Sequence, residues 1–268
     1  SDLIDVSVNS GVEFNRENWY IEDKYADCNY YNGLSRCDVS MAVNYNDSFF
    51  DINASEEAPE LAKLGSLLSA ADDYNSISGV YSSLGFTLYS VNYNRELTDD
   101  VAFSLGVKRT KNKRIFMLTV RDTGDRGEWY SNFNVGDGDT HEGYAVASKN
   151  VLESIQDYID AYASTDSSVR NVILVTGHGR GAAVSNLVAA ELSASSDYFT
   201  ADDVFGYTYN CPAVSKKADQ SLTNIRNYNT YANMPSLLPL EQWGYERNGI
   251  DVKVDINSDV SLPSPFFL

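Results

Sequence analysis

One stretch, VILVTGHGRGAAVSNLVAAEL at residues 172–192, constrains the fold more than any other part of the sequence. Its first half is an unbroken apolar run, which is typical of a strand that is covered on both faces of a parallel sheet. A glycine-rich turn follows, and an alanine-rich helical segment begins directly after it. A buried strand that turns sharply into a helix predicts a wound α/β architecture.

The same alternation of strands and helices extends along most of the chain. RIFMLTV predicts a second buried strand, VFGYTYN a third, and IRNYNTYAN a fourth, while FTLYSVNY and VAFSLGVKRT predict an antiparallel pair. Two helices are expected from Pro59 to Gly85, and a long helix at about 142–163. The long helix should bury five side chains at helical spacing, namely Tyr144, Ala147, Val151, Ile155 and Ile159. We therefore expect one α/β domain over 59–268, with 1–58 as an N-terminal embellishment packed on it.

Charge and composition limit the partners of this chain. The formal net charge of −18 opposes binding to nucleic acid or to an anionic membrane. No apolar window reaches the length of a transmembrane segment, so none is expected. The abundance of tyrosine, asparagine and serine suits a protein that is secreted or displayed at the cell surface, and we expect an extracellular location.

The three cysteines give little direct information about function. Cys28 and Cys37 enclose a short polar loop and are compatible either with a disulfide or with two free thiols. Cys211 is left over and is expected to be buried. Because no cysteine or histidine spacing indicates zinc, neither a metal nor another cofactor is predicted.

The glycine-rich turn has the frame of the G-x-S-x-G nucleophile turn of hydrolases, in which two glycines allow a sharp reversal and a serine stands between them. Gly177 and Gly181 occupy the glycine positions, but the central residue is Gly179. Dinucleotide binding is the alternative for a glycine-rich turn. That fingerprint requires an acidic residue at the end of the next strand, where this sequence has none.

Several blocks of the sequence resemble the class 3 lipases, the fungal-lipase-like family, and in particular bacterial lipase-like proteins of the Firmicutes. The blocks are VTGHGRGAAVSNL, RDTGDRGEWYSNFNVG, HEGY, YNCPAV and PLEQWGYERNG, in the order expected of the family. The resemblance implies an α/β-hydrolase fold, with a mostly parallel central sheet and helices on both faces. It also implies that the ancestral substrates were acylglycerols or other carboxylic esters.

The resemblance places the catalytic triad on residues that cannot perform its chemistry. Gly179 stands at the nucleophile position and Asn233 at the acid position. The base should be a histidine that follows the acid, but His141 and His178 both precede residue 233 and match non-catalytic histidines of the family. Acyl transfer needs a nucleophile, a base and an orienting acid, so the triad is degenerate in the sequence as it stands.

The oxyanion-hole region is altered too. The family motif RGT reads Arg121-Asp122-Thr123 here, and Thr123 and Arg180 are the candidates for this region. The Asp122 carboxylate would bring a negative charge to a site that needs positive potential, unless it points to the surface. We assign the walls of a cleft beside the turn to Asp122, Trp129, His178 and Trp243.

Three functional hypotheses remain open. The first is a catalytically inactive lipase-like domain that binds an acyl ester, another small molecule or a protein partner. The second is a carboxylic ester or triacylglycerol hydrolase whose serine has been replaced at 179 and whose histidine lies beyond Leu268. The third is a calcium site on the acidic turn of Asp137, Asp139 and Glu142, although its spacing departs from that of the EF-hand loop.

Overall fold

The computed structural model describes residues 2–4, 7–8, 12–13, 21–24, 30–31, 34–35, 38–41, 43–71, 74–91, 93, 101–123, 131–230 and 243–254. Four α-helices lie in these ranges: α1 (Pro59–Ala70), α2 (Tyr74–Ser83), α3 (Glu142–Tyr162) and α4 (Arg180–Ser195). None of the helices described is long and apolar enough to cross a membrane.

Among the residues that the structure describes, eight short strands precede α1, and a 3-10 helix at Asp47–Phe50 follows them. They are β1 (Asp2–Ile4), β2 (Ser7–Val8), β3 (Val12–Glu13), β4 (Ile21–Lys24), β5 (Tyr30–Tyr31), β6 (Leu34–Ser35), β7 (Asp38–Met41) and β8 (Val43–Tyr45). They form small sheets, in which β1 pairs with β8, β5 with β6, and β2, β3, β7 and β4 make a four-stranded sheet.

The main sheet has seven strands in the order β15-β14-β13-β12-β11-β10-β9. Its strands are β9 (Thr87–Val91), β10 (Phe103–Arg109), β11 (Lys113–Val120), β12 (Arg170–His178), β13 (Val204–Tyr209), β14 (Ile225–Asn229) and β15 (Ile250–Lys253). The pairs from β11 to β15 are parallel, whereas β9, β10 and β11 pair antiparallel. The predicted α/β-hydrolase fold with a mostly parallel sheet is confirmed, but the sequence analysis missed β15.

Helices cover both faces of this sheet, because side chains alternate along each buried strand. On one face, Met117 and Leu174 pack in the cluster that includes the leucines of α1. On the other face, Phe116 and Ile173 pack in the cluster of α3 and α4. The five side chains predicted to be buried on the long helix are all buried in α3.

The hydrophobic core begins upstream of residue 59. Val43, Tyr45, Phe50 and Ala54 are all buried in the same cluster as the leucines of α1. Arg170, at the start of β12, donates hydrogen bonds to the carbonyl groups of residues 50 and 52. Residues 43–58 therefore pack into the core on this face of the sheet, and the division at residue 58 stays a prediction.

Candidate functional site

Polar side chains gather at the carboxyl edge of the parallel strands. Asp122 follows β11, His178 ends β12, Asn210 follows β13 and Thr230 follows β14. Because β11 to β14 are adjacent and parallel, these four positions stand at one edge of the sheet. Open α/β sheets bind their ligands at this edge, so the arrangement marks the candidate site.

The turn from β12 to α4 has a backbone that favours glycine at its centre. Gly179 adopts φ 55° and ψ −121°, a region that residues with a side chain rarely enter. At the two outer positions, close packing of the backbone leaves no room for a side chain. A β-carbon on Gly177 would overlap the carbonyl oxygen of Gly181, and one on Gly181 would overlap the carbonyl oxygen of Val120.

The carboxylate of Asp122 stands inside this turn. Its Oδ1 accepts hydrogen bonds from the backbone N–H of Thr123 at 2.7 Å and from the backbone N–H of Arg180 at 3.0 Å. Its Oδ2 lies 2.8 Å from His178 Nδ1. A β-carbon on Gly179 would come within 2.5 Å of Oδ1, so the carboxylate fills the space into which a side chain at 179 would project.

Asn210 fixes the tautomer of His178. The backbone N–H of Thr230 can only donate, and it lies 3.0 Å from Asn210 Oδ1, which places the amide nitrogen of Asn210 on the opposite side. That nitrogen lies 3.0 Å from His178 Nε2. Nε2 therefore accepts, and the ring proton sits on Nδ1 and is donated to Asp122.

Asp122 is stabilised as the charged form. Partial loss of water raises the pKa of the carboxyl group, but the hydrogen bond from His178 and the hydrogen bonds from the two backbone N–H groups lower it. The net result is a pKa below the ordinary value for aspartate. Asp122 consequently carries a negative charge at neutral pH, and the prediction that it would oppose a developing oxyanion stays a prediction.

His141 is fully buried at the start of α3. Its Nδ1 accepts from the backbone N–H of Tyr144 at 3.4 Å, as the N-cap of α3, and its Nε2 donates to the carbonyl of Asn132 at 3.1 Å. The side chain has no exposed surface, and its ring stacks on the Tyr144 ring with centroids 3.8 Å apart. Burial lowers its pKa below the ordinary value, so His141 is a neutral structural residue.

The other predicted site residues divide into three groups. Thr123 and Arg180 lie at the turn, and each directs its backbone N–H to Asp122, so their assignment to an oxyanion hole stays a prediction. Trp243 is 53% exposed, which suits a cleft wall or any other surface position. Trp129 and Asn233 lie outside the described residues, so their assignments stay predictions.

The acidic turn proposed as a calcium site is engaged in other contacts. The Asp139 carboxylate lies 2.6 Å from the ammonium of Lys217. In the described ranges, no three acidic, histidine or cysteine side chains cluster closely enough to hold a metal ion. Cys211 is a buried free thiol, as predicted, and burial raises its pKa to about 12. Cys28 and Cys37 fall outside the described residues.

A model of a known protein family matches the segment that contains the turn and the strands around it. The model of the class 3 lipases, described as Lipase (class 3), matches residues 106–233, from β10 through the turn at Gly179 and beyond β14. This part of the chain is similar to the class 3 lipase family. A search of curated protein sequences finds no significant match.

Solved structures of fungal lipases share the fold of this domain. The triacylglyceride lipase of Rhizomucor miehei matches with a TM-score of 0.55 and 16% identity over 76% of this chain and 83% of that one. A triacylglycerol lipase whose catalytic centre is a serine protease triad matches with a TM-score of 0.57 and 16% identity, over 75% and 82% of the two chains. The lipase of Rhizopus microsporus var. chinensis matches at 0.52 and 12%, over 84% of each.

Sequence reasoning missed Asn210 as part of the lipase-like site. Its position directly after a buried parallel strand was a usable signal, because His178 and Asp122 occupy the same position on the two preceding strands. Asn210 also has a positive φ of 49°, which asparagine tolerates better than most residues. The interaction of Asp122 with the turn had no sequence signal, because residues 122 and 180 are far apart along the chain.

Proposed function

We propose that this chain is a lipase-fold binding domain that does not carry out acyl transfer. The observation that carries the proposal is the centre of the turn, where Gly179 offers no heteroatom and the Asp122 carboxylate fills the space of the absent side chain. Acyl transfer by a class 3 lipase requires a nucleophile there and free backbone donors for the oxyanion. Here both donor N–H groups are already bonded to Asp122.

Neither histidine of the sequence is placed to act as a base at residue 179. His141 is fully buried, and both of its ring nitrogens are engaged at the start of α3. His178 has its Nδ1 on Asp122 and its Nε2 on Asn210. A general base must reach the proton that it removes, and a ring with both nitrogens occupied does not. These contacts support the inactive form over an impaired hydrolase.

The negative charge of Asp122 limits which ligands such a domain can bind. The ionised Asp122 would repel a free fatty acid or another anion at the turn, and the net charge of −18 adds to that repulsion. A neutral acyl ester or another uncharged small molecule is therefore the favoured ligand, with a protein partner as the alternative. The extracellular location expected from the composition stays a prediction.

Ester hydrolysis tests the inactivity directly. The unaltered chain and Gly179→Ser are assayed with p-nitrophenyl butyrate and with emulsified tributyrin, and both should give the rate of the buffer blank. Saturable turnover by either protein would contradict the proposal. The same assay on a chain extended by any natural downstream sequence examines the alternative, because turnover by its Gly179→Ser variant alone would identify a hydrolase that lost only its serine.

A further inference from the structure

We propose that Asp122 is a tethered ligand of the turn, a side chain that occupies the anion-binding position of its own site and so closes that position to external carboxylates. This inference deepens the proposed function and rests on it, since the turn is taken to lack a nucleophile. It adds to that function the residue that occupies the site, Asp122, and the class of ligand that the site can take. The class is a small carboxylate, and the site becomes available to it when Asp122 is removed.

Three donors from separate elements converge on this one carboxylate. The N–H of Thr123 comes from the loop after β11, the N–H of Arg180 from the first residue of α4, and Nδ1–H from His178 at the end of β12. The Asn210 amide holds the ring proton of His178 on Nδ1, as described above. The donor set is thus built by the ends of β11 and β12 together with the first residue of α4, rather than by the helix terminus alone.

A steric observation leads to the same position independently. A β-carbon on Gly179 would lie 2.5, 2.6 and 2.7 Å from the Oδ1, Oδ2 and Cγ atoms of Asp122. The entire carboxyl group therefore stands where a side chain at 179, and the acyl group bonded to it, would stand. Residues 122 and 179 form a pair, because the aspartate carboxylate can keep this position only while residue 179 is glycine.

Asp122 also replaces a contact that the helix otherwise lacks. Gly179 is the N-cap residue of α4 and provides no side-chain hydrogen bond to it. The Asp122 carboxylate supplies that bond to the N–H of Arg180 and adds a negative charge where the helix dipole favours one. Removal of the carboxylate leaves an anion position with its donors in place.

The experiment is a chemical rescue of Asp122→Ala by sodium acetate. The measured quantity is the midpoint of thermal unfolding, Tm. The variant should melt below the unaltered chain, by about 3 °C for loss of a helix cap in a domain of this size. Acetate should raise its Tm saturably relative to sodium chloride at equal ionic strength. The unaltered chain and Asp122→Asn, in which a side chain still fills the position, should show no such rise.

An acetate response of Asp122→Ala no larger than its chloride response, or an equal response in the unaltered chain, would overturn the inference. If Asp122→Ala does not fold, Asp122→Gly replaces it, since glycine is the family residue at this position. A second measurement uses the folded proteins alone: the amide protons of Thr123 and Arg180 should move upfield in Asp122→Asn, and unchanged shifts would also overturn the inference. None of these readouts depends on ester hydrolysis, so they separate this inference from the proposed inactivity.

Discussion

The outer and central residues of the turn between β12 and α4 are all glycines, but they differ in what surrounds them. Gly177 and Gly181 face backbone atoms, the carbonyl oxygens of Gly181 and Val120 respectively. Gly179 faces a side chain, the carboxylate of Asp122, and combines that contact with a positive φ. The outer pair is required by the fold, whereas the central glycine is required by Asp122 and by its own backbone conformation.

This difference separates the frame of the motif from its chemistry. The frame persists because its glycines pack the strand against the helix, and that need remains when no reaction takes place. The chemistry depends on the central residue and on what occupies its side-chain space. A match to the frame therefore agrees with the fold of this chain, while the proposal of inactivity depends on residues 122 and 179.

The largest effect is expected from Gly181→Ala. Its new methyl group would meet backbone oxygen atoms of Val120 and Arg121, which cannot move without displacing the end of β11. We expect a loss of about 3 kcal/mol or more in the free energy of unfolding, measured by urea denaturation. Gly138→Ala is the matched control, because its methyl group would lie 3.8 Å from the nearest atom and should cost under about 0.5 kcal/mol. Equal losses in the two variants would remove the distinction drawn for the outer glycines.

Gly179→Ala should have an intermediate effect that depends on residue 122. In the unaltered background it combines backbone strain with overlap of the carboxylate, for a loss of about 3 kcal/mol. In the Asp122→Gly background only the strain remains, about 1–2 kcal/mol. Urea denaturation of the two single variants and the double variant gives the coupling between the positions.

Gly244→Ala is the control for the strain component of that cycle. Gly244 has a φ of 82° and no atom within 4 Å of its β-carbon position, so its substitution carries strain without overlap. Its cost should be the same with and without Asp122. A coupling energy near zero between residues 122 and 179 would show that the central glycine is set by its backbone alone.

The sequence predicted the fold far better than the site. Strands such as β11 and β12 are continuous apolar runs, and α3 has its buried residues at regular helical spacing, so their periods identify them. The exposed strand β15 has no such run and was missed. The position of Gly179 followed from a local motif, but the contacts of Asp122 and Asn210 join separate strands. Contacts of that kind depend on sheet register, which single-sequence patterns do not determine.

The smallest expected effect is on the ring protons of the histidines rather than on stability. It concerns His178, which donates a hydrogen bond to Asp122. The chain has two histidines, and their hydrogen bonds require opposite neutral tautomers. His178 should carry its proton on Nδ1, between Asp122 and the Asn210 amide, and His141 should carry its proton on Nε2, directed to the Asn132 carbonyl. Long-range nitrogen-15 NMR spectra of the rings distinguish the two forms. His141 should also stay neutral below the ordinary histidine pKa, because burial lowers its pKa.

In Asp122→Ala, His178 loses the acceptor of its Nδ1 proton, so its signals should change while those of His141 stay the same. A neutral His178 with its proton on Nε2 in the unaltered chain would contradict the arrangement. The Asn210 amide nitrogen and Nε2 would then be two donors facing each other, and Asp122 would lose one of its three hydrogen bonds.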